Sequence, residues 1–376
     1  MSKSQVALIR GEARYDNVRR CLELVAGDID LSRKRRVLVK PNFVSTDTPL
    51  AATHVDAVRA VLDFVRARYD GPITIAEGPA MRPAAEGFCN YGYQPLAERP
   101  GVTLQDLNLD EPLEVMAYNW RLKPMHLHLA RSVVDSDFRI SVGPPKTHDM
   151  VIVTLSLKNM VMGTLISRFE HTAGSGHSLL GSVTHTLEQS LPRWLRNLPP
   201  VTWMQFRYMS HLQPSDKMKM HQSYAVLNLN LALLAPLVAP HLAVIDGFEG
   251  MEGNGPTGGT PVALHLALAG TDALATDALA ARIMGFDPDE IGYLWYCQHV
   301  GLGQADPDRI DVRGNVSLAD AVRPFRPHDT YHYQKRWALP RAEQLLAAAR
   351  HRPASVPFAG DGKRSGVIAD QERRIP

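Results

Sequence analysis

The sequence predicts an α/β fold: a mostly parallel sheet with helices on both faces, plus a helical or irregular insertion. Three observations carry that prediction. Apolar residues recur at helical spacing in some segments and form short unbroken runs in others, and the two kinds alternate along much of the chain. The runs are strand-length and mostly apolar, as in buried strands. Hydrophobic residues make up 45% and charged residues 21% of 376 positions, a globular composition that excludes a collagenous, coiled-coil or wholly disordered chain.

The elements follow in order. Val18, Leu22, Val25 and Ile29 recur at helical spacing, and residues 36–40 then read as a buried strand stopped by Pro41. Val55, Val58, Leu62, Val65 and Tyr69 mark a second helix, Asp70-Gly-Pro a turn, and residues 73–76 a second strand. Residues 102–107 read as a strand, 127–134 as a helix, and 139–142 as a strand ending at Gly143-Pro-Pro. This β-α-β rhythm calls for parallel pairing with helical crossovers. Residues 164–222, rich in His, Trp, Met and Arg, break the rhythm and read as an insertion or a mobile lid. The apolar stretch 224–245 contains Asn228, Asn230, Pro236, Pro240 and His241, so it reads as a buried helix and a strand, not a membrane span. Residues 262–269 read as a strand, and 272–284 as a helix that Gly285 stops. Asp287-Pro288-Asp289-Glu290 has the pattern of a capping box opening the next helix, and 310–313 reads as a last strand. The expected division is a core in two parts, 1–163 and 223–320, the insertion between them, and a C-terminal extension over 321–376 with a flexible tail from about 355.

Lys and Arg number 41 against 39 Asp and Glu, for a net charge of +2. That balance argues against a nucleic-acid partner, so any anion site must be local. Cys21, Cys89 and Cys297 form no Cys-x-x-Cys pair, so a disulfide framework or an iron–sulfur cluster is not expected. No signal-like apolar stretch opens the sequence, and the expectation is a cytoplasmic protein with no membrane partner. A homodimer stays open.

In open α/β sheets, ligands bind outside the carboxyl ends of the strands. The predicted strands here end in Lys40-Pro-Asn42, Glu77-Gly78, Pro145-Lys146-Thr-His148 and Asp246. Any one of these is an ordinary surface residue, but the set points to a site. Lys158 and Asn159 interrupt the apolar run 154–163. A lysine there carries either a lowered pKa or a bound counter-charge, or else snorkels its head to water. His148 and His171 each lie near a cation, Lys146 and Arg168 respectively, and are the candidate proton carriers. No His-x-x-x-His pattern sits on a clear helix, so a divalent metal is only a weaker alternative, with Asp246, Glu252, His177 and His221 as candidate ligands. Gly253-x-Gly255-x-x-Gly258 matches the dinucleotide fingerprint in letters, but a strand follows it where that motif needs a helix. It reads either as a loop bringing backbone close to a ligand or as a wide β-hairpin turn.

Lys40-Pro-Asn42, Glu77-Gly78, Pro145-Lys-Thr-His148, Leu157-Lys-Asn159 with Gly163, Asp246-Gly with Met251-Glu-Gly-Asn-Gly-Pro256, Gly270-Thr-Asp272 with Asp277, and Gly301-Leu-Gly303 together resemble the domain of unknown function 362. The resemblance runs from about residue 5 to 315. It implies no reaction. Relatives that carry ferredoxin-like iron–sulfur segments have cysteines that this chain lacks. The family is also similar to the N-terminal domain of nickel-pincer lactate racemases, where paired histidines move protons and a lysine holds the cofactor.

The expected function is acid–base chemistry of lyase, isomerase or cyclase type on a small carboxylate or phosphate. His148, His171, Lys158 and Lys146 would be catalytic, and Lys40, Asn42, Asn159, Arg168, Glu77 and Gly255 would bind substrate. The rival readings are a redox or metal-pincer enzyme and a non-catalytic cofactor-binding or maturation protein.

Overall fold

A computed structural model describes residues 3–80, 82–167 and 215–350. Most of the expected insertion and the whole tail past 355 lie outside the described residues. The strands, in chain order, are β1 (Ser4–Arg10), β2 (Val37–Lys40), β3 (Ile73–Glu77), β4 (Val102–Asp106), β5 (Pro112–Tyr118), β6 (Pro124–Ala130), β7 (Phe138–Gly143), β8 (Lys146–His148), β9 (Ile152–Thr154), β10 (Leu242–Ile245), β11 (Glu249–Glu252), β12 (Thr260–Ala263), β13 (Leu266–Gly270) and β14 (Ile310–Gly314).

Eight of them form one sheet in the order β14-β1-β13-β10-β7-β2-β3-β4. Its pairings are parallel except the two made by β13, which runs antiparallel to both β1 and β10. The fold is therefore α/β with a mostly parallel sheet. Alternation along the strands builds a core on each face. Val37 and Val39 pack under the helices Arg14–Leu24 and Val55–Arg66, while Leu38 points the other way. That second face is covered by the helices Ser156–Thr164, Tyr224–Val238 and Ala273–Ile283.

The helix Tyr224–Val238 is apolar on nearly every side because it is packed on nearly every side. Its two asparagines meet backbone. Asn230 exchanges two hydrogen bonds with the main chain of Tyr118, at 2.9 and 2.8 Å. Asn228 accepts from Tyr293 N at 2.7 Å and donates to Tyr224 O at 2.8 Å. A buried amide so paired costs little, which is why polar residues are tolerated here. Among the described residues no helix is long and apolar enough to cross a membrane.

Three segments depart from the sequence reading. Residues 127–134 are not one helix: β6 occupies the first part and pairs with β5 as a hairpin, and only Arg131–Val134 is helical. Leu127 and Leu129 are buried with His128 between them less so, a period of two that wins over the helical spacing. Residues 262–269 are two strands, β12 and β13, in different sheets. Asp287 caps only a 3-10 turn, Pro288–Glu290, and the helix proper starts at Gly292.

The chain runs β2, β3, β4 outward to one edge and then returns to place β7 on the other side of β2. The boundary between β2 and β7 is thus a point where the strand order reverses, the position at which α/β sheets open a crevice. Lys40 pairs with Ser141 across it.

Candidate functional site

A cleft of about 570 Å³ opens above that boundary. Its wall includes Asn42 and the loop after it, Glu77 and Gly78 at the end of β3, His148 and Asp149, Thr154, Lys158 and Asn159, Lys217 and His221, and Pro256 and Thr257. The strand ends β2, β3 and β8 and the helix Ser156–Thr164 supply most of it.

The floor is a buried hydrogen-bond network centred on Asn159. Its Oδ1 accepts from Lys40 Nζ and from Asn42 Nδ2, both at 2.9 Å, and its Nδ2 donates to Ser141 Oγ at 3.0 Å. One amide therefore ties β2, β7 and the loop after β2 together. Lys40 Nζ also lies 2.7 Å from Glu77 Oε2 and donates to Pro41 O at 3.1 Å. Burial pushes the Lys40 amine down and the Glu77 carboxyl up, and their contact opposes both shifts. Gly163 sits directly over this pair: a Cβ there would fall on Lys40 Nζ. Lys146 donates to Asn42 Oδ1 and Ala51 O. Burial, then the positive charge of Lys158, hold its amine well below the usual lysine range. Both of these acceptors are neutral carbonyl oxygens.

The sequence-derived residues therefore separate into layers. Asn42, Glu77, His148, Lys158, Asn159 and His221 reach the cleft. Lys40 and Lys146 are fully buried beneath it and hold its floor. Asp246 is not at the cleft; it pairs with Arg14 Nε at 3.0 Å. Glu252 accepts from Arg326 N at 3.0 Å, also away from it. Gly255 packs against the Thr147 carbonyl, in the connection of a β11–β12 hairpin, and the cleft is met by Pro256 and Thr257 instead. His171, Arg168 and His177 lie outside the described residues. Among the described residues no three His, Cys, Asp or Glu side chains are gathered where they could hold a metal. Of the described metal candidates only His221 reaches the cleft, so the described part of that set does not fit a metal.

Lys158 stands apart from the other lysines. It is 6% exposed, lines the cleft, and makes no hydrogen bond or ion pair among the described residues. Burial pushes its amine down to about 8, with the Asp149 carboxylate opposing. Two imidazoles share its wall. His221 Nδ1 lies 2.7 Å from the Lys217 carbonyl, which accepts only, so Nδ1 carries the proton and Nε2 keeps a lone pair. His148 Nδ1 lies 3.0 Å from Met150 N and 2.9 Å from Asp149 Oδ1. A backbone N–H can only donate, so Nδ1 accepts from Met150 N, and in the neutral ring the proton sits on Nε2. Burial and then Lys158 push His148 down to about 3, which keeps it neutral. Burial also holds His221 below the usual histidine range.

Sequence reasoning missed Asp149, Lys217 and the two threonines. Thr46 and Thr154 line the cleft with buried hydroxyls that find no partner among the described residues. Lys217 donates to Asn108 Oδ1 at 3.1 Å and to Leu165 O, and burial pushes it down to about 7. Its one signal was the four-residue spacing to His221, which puts both on one side of a helical turn.

Against known proteins, the chain is 23% identical over 273 residues to the thylakoid-associated protein sll1697 of Synechocystis sp., covering 71% of this chain and 68% of that protein. The lactate racemase apoprotein from Thermoanaerobacterium thermosaccharolyticum superposes with a TM-score of 0.40 at 13% identity, over 78% of this chain and 56% of that one. The family model described as "Domain of unknown function (DUF362)" matches residues 37–282, which take in β2, the cleft and β13. The chain belongs to the domain of unknown function 362 family.

Proposed function

We propose that this protein is an enzyme that binds a small carboxylate or phosphate in the β2–β7 cleft and moves a proton on it, in a lyase, isomerase or cyclase type of reaction. The observation that carries the reading is Lys158: a buried cation on a cleft wall with no counter-charge in contact among the described residues. A protein pays several kcal/mol to desolvate such a group, and a bound anion returns it. His221 Nε2, with its proton fixed on Nδ1, is a lone-pair base of the kind that general-base catalysis uses, and the Nε2–H of His148 is a donor on the same wall. Thr46 and Thr154 supply hydroxyls for the remaining polar atoms of a ligand.

The test is thermal melting with and without malonate or phosphate. Either anion should raise the Tm of the wild type, and the affinity should fall as pH rises through about 8, where Lys158 loses its charge. Lys158→Met should abolish the ligand shift. Its own melt should stay equal or rise, because a lysine whose folded pKa is depressed costs stability at every pH below its unfolded value. A steep loss of Tm in Lys158→Met without ligand would instead make Lys158 half of a structural ion pair and would remove it from the site.

A further inference from the structure

We infer that Lys158 is a nucleophile as well as an anchor, and that the substrate carries a carbonyl next to its anionic group, as a 2-oxo acid does; this rests on the anion-binding reading above. Three observations on the same wall point to it. The Lys158 amine faces the cleft and makes no hydrogen bond among the described residues. The other buried lysines differ: Lys40, Lys146 and Lys217 each spend their amines on two or more acceptors. The imidazole of His221 lines the same cleft and presents an Nε2 lone pair that can accept the proton an attacking amine must lose. The lowered basicity of Lys158 supports the idea, since a lysine desolvated in this way keeps a usable fraction of free amine near neutral pH.

The step balances without an added oxidant or reductant. The neutral amine nitrogen bonds to the carbonyl carbon, and the C=O electron pair moves to oxygen. The nitrogen gives one proton to His221 Nε2, which returns it to the carbonyl oxygen to form a carbinolamine. A second proton, taken from solvent, lets that oxygen leave as water, and the nitrogen lone pair forms the C=N bond of an imine protonated on nitrogen. The cation regenerated at Lys158 stays beside the substrate's carboxylate, so the charge pairing that drew the substrate in is kept. The protonated imine also draws electrons from the neighbouring carbon, which is what a proton transfer or a C–C cleavage there requires.

Reductive trapping tests it. The protein is incubated with pyruvate or glyoxylate and cyanoborohydride at pH 7, digested, and each lysine's adduct is followed by mass spectrometry. Lys158 should be modified on the order of tenfold or more faster than the exposed lysines, because of its larger free-amine fraction. Malonate, an anion without a carbonyl, should slow that labelling and no other. Unfolding the protein in urea should erase the preference, a control that needs no variant to fold. Lys158→Arg should keep a malonate-dependent rise in Tm and lose the fast adduct. If malonate raises the Tm through Lys158 but Lys158 is trapped no faster than a surface lysine with either oxo acid, the nucleophile inference is overturned and the anion-binding reading stands. If neither malonate nor the oxo acids engage Lys158, both fall together.

Discussion

Replacing Lys40 by methionine is expected to lower the unfolding free energy by about 3–5 kcal/mol, the cost of leaving one partner of a buried ion pair uncompensated. Lys40 and Glu77 are 0% and 1% exposed and 2.7 Å apart. Glu77→Gln should cost a comparable amount, since the Lys40 ammonium then has only neutral oxygens around it. The double variant Lys40→Met/Glu77→Gln should recover much of the loss, because burying no charge avoids the desolvation that the pair must offset. Urea denaturation of the three proteins gives the coupling directly. Additive losses, or a single variant as stable as the wild type, would show that the pair is not the buried unit the geometry describes. The effect on the site should follow the effect on the fold. Asn159 Oδ1 then loses one of its two donors, and the amide that joins β2 to β7 is freer to turn.

A loss of similar size is expected at Asp277, which carries the helix on which Lys158 stands. Its carboxylate accepts from Ser156 N and Leu157 N, both at 2.9 Å, and from Ser156 Oγ at 2.5 Å. It thus serves as the cap of Ser156–Thr164, supplied from the helix Ala273–Ile283, because Leu155 has no side-chain group to do so. Asp277→Ala leaves those donors buried without partners, at about 1–3 kcal/mol each. The pH dependence has a definite sign. Burial pushes this carboxyl up to about 7 against its hydrogen bonds. A carboxyl with a raised folded pKa contributes stability that is fully present below the unfolded value near 4 and is lost as pH rises to about 7. The wild-type minus Asp277→Asn difference in unfolding free energy should therefore shrink across that window, by up to roughly 4 kcal/mol. A difference that is flat between pH 4 and 7 would mean that the three hydrogen bonds outweigh burial and the carboxylate is ionised throughout.

Lys158, Asn159 and Asp277 show how the sequence and the structure divide the information. Lys158 and Asn159 were legible as polar residues inside an apolar run, because a helix facing a core leaves no other reason for them. Asp277 belonged to a family-like motif, but nothing local says that its carboxylate reaches a helix about 120 positions earlier. The histidines divide in the same way. His148 was legible at a strand end, whereas the proton placement on its ring depends on Met150 N and that at His221 on the Lys217 carbonyl.

By itself the sequence determined the α/β class, the positions of β2, β3, β7 and β10, and the strand ends as the place to look. These follow from periodicity and from turn residues, which act within a few positions along the chain. Only the tertiary structure decided that Lys40 and Lys146 lie beneath the cleft and Lys158 lines it, that Asp246 faces Arg14, and that 253–259 is a hairpin connection. The physical reason is that a lysine's role depends on which acceptors lie within about 3 Å of its nitrogen. Here those acceptors come from strands brought side by side by the strand order, 37 to 119 residues away along the chain for Glu77, Asn159, Asn42 and Ala51. Such pairings leave no trace in local spacing.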